Sequence, residues 1–159
     1  MRDKLLQLLE RNGFIPVEKL AKMLGSSPAV IRKKIAQYEK EGVIMGYKAL
    51  INYNKLEERV RAVIEVKVSP EREGGFDRTA HRIAQFEEVT SCFLMSGGFD
   101  LLIFIEGKTL NEVASFVSSK LAPLERVQST ATHFMLKAYK DHGMILESQT
   151  REKRLAITP

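Results

Sequence analysis

The sequence predicts an α+β protein in which an N-terminal helix-turn-helix, with or without a wing, precedes a ferredoxin-like βαββαβ unit. Three observations support this fold class. Apolar residues recur at helical spacing through the first third of the 159-residue chain. Beyond residue 54 the pattern alternates between strand and helix signals. All of the excess positive charge lies in the first third, and the remainder is electrically balanced.

Three short helices are predicted in the first third, and they cover residues 2–12, 17–24 and 28 to about 42. The first carries an apolar stripe that includes Leu5 and Leu9. Gly25 ends the second helix, because glycine adopts the left-handed conformation found after helix ends. Ser27 and Pro28 begin the third helix, since serine caps free N–H groups and proline needs none at the first position.

The third helix has the sequence pattern of a DNA-recognition helix. Its apolar residues form an inward face, which leaves small, polar and basic side chains pointing outward. Arg32 suits bidentate hydrogen bonding to guanine, Gln37 suits adenine or a phosphate, and the neighbouring lysines suit phosphates. The candidate DNA-binding residues are Ser27, Pro28, Ala29, Arg32, Lys33, Lys34 and Gln37. An ordinary solvated basic surface would explain the charges alone, but not their combination with the turn and the spacing.

The distribution of charge supports this interpretation. Residues 1–54 contain ten Lys and Arg against five Asp and Glu, whereas residues 55–159 contain fifteen of each kind. Such asymmetry is typical of a polyanion-binding segment joined to a neutral one. Within the basic part, residues 43–51 are rich in strand formers. They predict the paired strands of a small wing or a strand that leads out of the unit, followed by a polar linker.

The rest of the chain predicts the order β-α-β-β-α-β. The strands are expected at residues 60–68, 89–95, 101–105 and 127–139, and the helices at about 76–83 and 109–121. Thr109 and Glu112 form a capping box that opens the second helix. The inward residues of that helix are predicted to be Leu110, Val113, Ala114, Val117 and Leu121. Helices on one face leave the other face of the sheet uncovered, which predicts a homodimer formed through the sheets.

Composition excludes several classes of protein. A chain that is 44% hydrophobic and 28% charged is neither disordered nor collagen-like. Its longest strongly apolar run, residues 101–105, is far too short to span a bilayer, and charges among the first leucines argue against a signal peptide. The single Cys92 cannot form an internal disulfide and fits a reducing compartment. We therefore expect a cytoplasmic location.

No catalytic, metal or cofactor site is predicted. His81, His133 and His142 lack the spacing of metal ligands with one another or with Cys92. The sequence contains no P-loop, nucleotide-binding glycine fingerprint or nucleophile elbow.

Several short motifs, in their order and spacing, resemble the Lrp/AsnC (leucine-responsive, feast/famine) family of prokaryotic transcriptional regulators over residues 1–140. They are LLQLL at residues 5–9 with Asn12-Gly13, Leu20-Ala21, LGSSP at 24–28, GVIMGY at 42–47 and SGGFD at 96–100. The last of these has serine and phenylalanine where the family has threonine and tyrosine.

The resemblance implies a DNA-binding domain at residues 1–54 and a ligand-sensing, oligomerising domain at 55–140, followed by an extension at 141–159. Similar members form dimers that often assemble into octamers, and they bind an amino acid or related metabolite near the glycine-aspartate turn. The effector candidates carried over are Ser96, Gly97, Gly98 and Asp100, with Thr130 and Thr132 as weaker ones. Glycine N–H groups can hold a carboxylate and Asp100 an ammonium, although a tight hairpin capped by Asp100 explains the same residues. The extension is expected either to pack on a neighbouring subunit or to fray.

Two alternatives remain open beside a regulator. A metabolite-binding module without a DNA function would need no localised charge and no recognition helix. Sirohaem decarboxylases resemble the same two-domain family, but their histidine-asparagine-tyrosine stretch is absent, and residues 89–93 read VTSCF instead. We therefore expect no enzymatic activity, and double-stranded promoter DNA and a small effector as partners.

Overall fold

The computed structural model describes residues 3–55, 59–70 and 75–146 and divides the chain into two compact units, Met1–Ile51 and Asn52–Pro159. The predicted α+β fold class is confirmed, with three helices in the first unit and an antiparallel sheet with two helices in the second. The predicted start of the first helix at residue 2 lies outside the described residues. None of the helices in these ranges is long and apolar enough to cross a membrane.

The first unit contains α1 (Lys4–Arg11), α2 (Val17–Leu24) and α3 (Pro28–Lys40). Their apolar faces meet in one small core, whose buried members are Leu5, Leu9, Leu20, Ala21 and Ile31. Gly25 ends α2 with φ of 62°, in the left-handed region that favours glycine. The Ser27 hydroxyl accepts a hydrogen bond from the Val30 N–H at 3.3 Å, so the predicted cap of α3 is present.

Residues 43–51, all of them described, form no strand, so the predicted wing strands or outgoing strand are wrong for this segment. The N–H groups of Val43 and Ile44 both donate to the carbonyl of Tyr38, which closes the end of α3. Beyond them the backbone is irregular, and Met45 is 95% exposed. A strand needs a paired neighbour, and the three-helix unit has none to offer.

The second unit is built on a four-stranded antiparallel sheet in the order β2-β3-β1-β4. The strands are β1 (Val60–Val68), β2 (Val89–Leu94), β3 (Leu101–Gly107) and β4 (Val127–Phe134). The helices are α4 (Asp77–Ala84) and α5 (Leu110–Phe116), and α5 continues as one π-helical turn, Val117–Leu121. The chain order and the central position of β1 and β3 match the predicted βαββαβ arrangement.

The core of this unit lies between one face of the sheet and the two helices. Its buried strand residues are Ala62, Ile64, Val66, Val68, Leu101, Ile103 and Ile105. The helices contribute Ile83, Val113, Phe116 and Leu121. Because side chains alternate along a strand, this set accounts for every second position of β1 and of the first part of β3.

The capping box of α5 differs from the predicted one by one residue. Thr109 accepts from the Glu112 N–H at 3.1 Å, as expected, but the Glu112 carboxylate accepts from the Lys108 N–H at 2.7 Å. The predicted inward positions of Leu110 and Ala114 are wrong, since both are exposed, Leu110 by 56%. Val113 and Phe116 set the buried stripe, and Ala114 lies about 100° around the helix from Val113.

The last predicted strand is too long, because β4 ends at Phe134 instead of residue 139. β4 pairs with β1, and Met135 makes the last bond, to the Arg61 carbonyl near the beginning of β1. A strand cannot continue past the end of its partner. The chain then forms a small hairpin of β5 (Lys140–Asp141) and β6 (Met144–Ile145), where the extension begins. The rest of the predicted extension, residues 147–159, lies outside the described residues.

Neither α4 nor α5 covers the other face of the sheet, where Arg61 at one end pairs with Asp141 of the hairpin at 3.4 Å. The apolar part of this face lies on β1, β2 and β3 and consists of Val63, Phe93, Leu102 and Phe104. The rings of Phe93 and Phe104 meet edge to face, with centroids 6.1 Å apart. Towards β4 the face becomes polar, with His133 and Glu65 3.4 Å apart. We call the four apolar residues the open sheet patch.

Candidate functional site

The predicted DNA-binding residues lie on α3 and its cap, where burial of Ile31 sets the rotation of the helix. Those that face solvent are Ser27, Ala29, Arg32, Lys33 and Gln37, and Pro28 and Lys34 are half-buried. The outer side of α3 therefore presents a small residue near the helix start, followed by basic and amide side chains. This arrangement can enter a DNA major groove and donate hydrogen bonds to base edges and phosphates.

Arg32 and Gln37 each bind a nearby carboxylate. Arg32 Nη2 donates to Glu18 Oε1 of α2 at 2.6 Å, and the two side chains are 60% and 61% exposed. Gln37 Nε2 donates to Glu41 Oε1 at 2.7 Å. Pairs this exposed contribute at most about 1 kcal/mol, so they do not withdraw Arg32 and Gln37 from a contact with DNA.

Lys34 is placed differently from the other candidates. Its ammonium lies 2.5 Å from Asp3 Oδ2, and the Tyr38 hydroxyl donates to the same oxygen at 2.5 Å. The other oxygen of Asp3 accepts from the Leu5 N–H at 2.9 Å, which caps α1. The predicted phosphate contact of Lys34 would compete with this bond between α1 and α3.

The electrostatics of this cluster follow from its geometry. The Lys34 ammonium, the Tyr38 hydroxyl and the Leu5 N–H all stabilise the charged form of Asp3 and lower its pKa to about 2. The carboxylate in turn raises the pKa of Lys34 and of Tyr38. We call Asp3, Lys34 and Tyr38 the α1–α3 cluster.

Sequence reasoning missed Asp3 and Glu18 as partners of the basic residues. Asp3 stands directly before the apolar stripe of α1, which is a helix-capping signal that the sequence offers. Glu18 lies in the first turn of α2, a common place for an acid. Arg32 lies 14 residues from Glu18, and Lys34 lies 31 residues from Asp3, so no local sequence pattern reveals either pair.

The glycine-aspartate turn connects β2 to β3, and Asp100 holds it to β1. The Asp100 N–H donates to the Val66 carbonyl at 3.0 Å, and Asp100 Oδ2 accepts from the Val68 N–H at 2.8 Å. This carboxylate oxygen therefore has a structural partner. Gly97 has φ of 143°, in a region that favours glycine.

The remaining effector candidates are spread along this end of the sheet. Ser96, Gly97 and Gly98 are exposed, and a Cβ added at Gly98 would meet no atom within 4 Å. Thr130 pairs with Val66 from the side opposite β3, which places it about 10 Å from the strand that follows the turn. Thr132 lies two residues further along β4 and is half-buried. One copy of the chain therefore does not enclose all six candidates in one pocket.

A cleft of about 390 Å³ is lined by α5 with its π-helical turn, by the end of β3 and by Glu88. It contains an ion pair of Glu88 with Lys120, which lowers the pKa of Glu88.

Burial raises the pKa of the half-buried Cys92 thiol, so that thiol is protonated and weakly reactive at neutral pH. Within residues 3–55, 59–70 and 75–146, no three His, Cys, Asp or Glu side chains are grouped to hold a metal ion.

Two family models match the chain. One, described as the Lrp/AsnC ligand binding domain, matches residues 61–145, and the other, described as winged helix-turn-helix DNA-binding, matches residues 4–45. Among curated proteins, the uncharacterised HTH-type transcriptional regulator YugG of Bacillus subtilis is 43% identical over 158 residues, which cover 98% of this chain and 95% of that protein. The leucine-responsive regulatory protein of Haemophilus influenzae is 30% identical over 143 residues, with 90% and 86% covered.

Solved structures show the same architecture. A transcriptional regulator of Neisseria meningitidis in complex with L-methionine aligns with a TM-score of 0.69 and 26% identity, covering 89% of this chain and 94% of that one. The crystal structure of PH0061 aligns with a TM-score of 0.76 at 17% identity, covers 89% of this chain and 97% of that one, and supports the fold alone.

Replacing Asp3 with asparagine should make the stability difference from wild type depend on pH. Asparagine can still cap α1 but cannot pair with Lys34 as an ion. Folding lowers the Asp3 pKa from 3.8 to about 2. The excess free energy of unfolding of wild type over the variant is therefore complete above pH ~4 and disappears as pH falls towards 2. Urea unfolding of both proteins from pH 7 to pH 2 measures this difference.

The variant Lys34→Gln is the control for the α1–α3 cluster. It should reproduce the loss at pH 7, and Asp3→Asn should then add little to it. The opposite result is that wild type and Asp3→Asn differ in free energy of unfolding as much at pH 2 as at pH 7. That result would contradict the ion pair of Asp3 with Lys34 as the source of the difference.

Proposed function

Because this chain belongs to the Lrp/AsnC family of transcriptional regulators, we propose that its α3 reads the major groove of double-stranded promoter DNA and that its glycine-aspartate turn takes part in sensing an amino acid. The family assignment makes it a regulator with a helix-turn-helix DNA-binding domain and a ligand-binding domain. Which residues contact DNA and ligand is our proposal. A cytoplasmic location and the lack of catalytic activity are part of it.

The observation that carries the DNA proposal is the exposed side of α3. Arg32 and Gln37 supply donors for base edges, and Lys33 supplies a charge for a phosphate. Ser27 and Pro28 set the start of the helix, and Ala29 allows close approach to the groove. We assign Lys34 to holding α1 against α3 through Asp3, instead of to a phosphate.

The effector proposal uses backbone as well as side-chain groups. Gly97 and Gly98 leave the turn open on the solvent side, so their N–H groups and the Ser96 hydroxyl are available to a carboxylate. Asp100 keeps one oxygen on Val68 and offers the other to an ammonium. Relatives support an amino acid as the class of effector, since the Neisseria meningitidis regulator was solved with L-methionine. Thr130 and Thr132 are weaker candidates, and they require a second copy of the chain to complete the site.

Self-association is proposed through the open sheet patch, Val63, Phe93, Leu102 and Phe104. These side chains are too apolar to remain in water without cost, and a two-fold axis would bury the same patch on both copies. In such a dimer, two α3 helices would enter successive major grooves about 34 Å apart. Assembly into octamers stays a prediction from the resemblance.

Arg32→Ala should weaken binding to the native operator by about 1–3 kcal/mol while leaving binding to a scrambled duplex much less affected. The probe is the DNA directly upstream of the protein's own gene, measured against the scrambled duplex across a salt series. Lys33→Ala should weaken both equally and reduce the salt slope by about one.

The variant Arg126→Ala removes the same charge from the second unit and should change neither preference nor slope. Undiminished selectivity in Arg32→Ala would exclude Arg32 from base recognition. If the wild-type protein binds both duplexes weakly and equally, the proposal that α3 reads this operator is contradicted.

Gly98→Ala should lower the affinity for L-methionine by about tenfold or more, because the added methyl group occupies the side from which the ligand approaches the turn. The fold should be unaffected, since that methyl group meets no protein atom within 4 Å. Isothermal titration measures the affinity, and thermal unfolding checks the fold. Equal affinities for wild type and variant would remove Gly98 from the site.

Phe104→Lys should dissociate the dimer, because a charge buried without a partner costs about 3 kcal/mol or more, which raises the dissociation constant about 100-fold. Sedimentation velocity over a concentration series measures the mass. Leu110→Lys changes an exposed apolar residue away from the sheet and should leave the mass unchanged. A Phe104→Lys protein that still sediments as wild type would show that the open sheet patch is not the interface.

A further inference from the structure

The acid that binds Arg32 lies on the other helix of the helix-turn-helix. Glu18 is in the first turn of α2, and its Oε1 accepts from Arg32 Nη2 at 2.6 Å. In this motif the first helix crosses the DNA backbone while the second enters the groove. Glu18 therefore bridges from the helix expected near phosphates to the side chain expected to read a base.

This bond restricts where the Arg32 guanidinium can point. The guanidinium is a rigid planar fork with five N–H donors, and Glu18 engages one of its two terminal nitrogens. The Arg32 side chain is 60% exposed, so a DNA base can reach it. A side chain already held in one orientation loses less conformational entropy when it binds.

The same carboxylate also weakens binding to DNA of every sequence. A negative charge beside a phosphate backbone is repelled by it, whatever the base sequence. Glu18 is 61% exposed, so protein does not shield it from that field. The repulsion lowers the affinity for every duplex, and the orientation of Arg32 offsets that loss only on a duplex with a base that Arg32 can reach.

We propose that Glu18 is a positioning residue for Arg32 that sets base selectivity while lowering affinity for DNA in general. The proposal rests on the proposed function, because it requires α3 to read DNA. A purely structural role for Glu18 predicts something else. An acid in the first turn stabilises α2 through the helix dipole, so its loss would lower stability without changing base preference.

The test uses the full chain and a duplex library with a randomised centre. Wild type, Glu18→Gln, Arg32→Ala and the double variant are each used to enrich sequences. Affinities are then measured for the wild-type consensus and for a scrambled duplex at one salt concentration. Glu87→Gln removes the same charge from an exposed site in the second unit and serves as the control.

Glu18→Gln should bind the scrambled duplex about two- to fivefold more tightly, and its selectivity for the consensus should fall about three- to tenfold. The enriched sequences should lose preference at one base pair in each half-site, the same position that Arg32→Ala affects. In the Arg32→Ala background, Glu18→Gln should no longer change selectivity, because the interaction is already absent. Glu87→Gln should match wild type in both measurements.

An unchanged consensus and unchanged selectivity in Glu18→Gln would overturn the inference, and so would an equal loss of selectivity with and without Arg32. Both outcomes leave the proposed function standing. If wild type enriches no sequence at all, the proposed function itself is contradicted, and the inference with it. Thermal unfolding of each variant separates these results from a loss of folded protein.

Discussion

Burial of Ile31 is the constraint on which the proposed DNA-binding surface depends. It is the only residue of α3 that is fully buried, with 3% of its surface exposed, and it packs with Leu20 and Leu5 of the preceding helices. Because a helix is rigid at this length, one anchored side chain sets the rotation of all the others. Arg32 and Gln37 face solvent for that reason.

The second unit obeys the same rule of one-sided burial with a different result. Alternation along β1 and β3 sends one set of side chains under α4 and α5 and the other set to the opposite face. That face keeps apolar residues such as Leu102 and Phe104. The other end of this face is polar and contains His133 and Glu65. A partner that covered this end would have to supply hydrogen bonds to these side chains, because buried polar groups need partners.

The acids of the first unit have separate roles, although the unit is basic overall. Asp3 is held by a lysine, a tyrosine and a backbone N–H, so its charge belongs to the packing of α1 on α3. Glu18 and Glu41 bind the two side chains best suited to read bases, and both pairs are exposed. The first kind of contact stabilises a helix pair, and the second kind is weak enough to leave both side chains able to bind DNA.

The sequence by itself determined the elements whose information is local. The helix boundaries of α2, all nine residues of β1 and the cap at Ser27 follow from spacing and capping chemistry that neighbouring residues supply. Which candidate residues face outward on α3 also follows from its period, apart from the half-buried Pro28 and Lys34. Only the tertiary structure decided the end of β4, the absence of strands in residues 43–51, and the partners of Lys34 and Arg32. Each of these depends on a group far away in the chain, either a paired strand or a carboxylate. Local periodicity does not predict which distant residues the fold places next to a given segment.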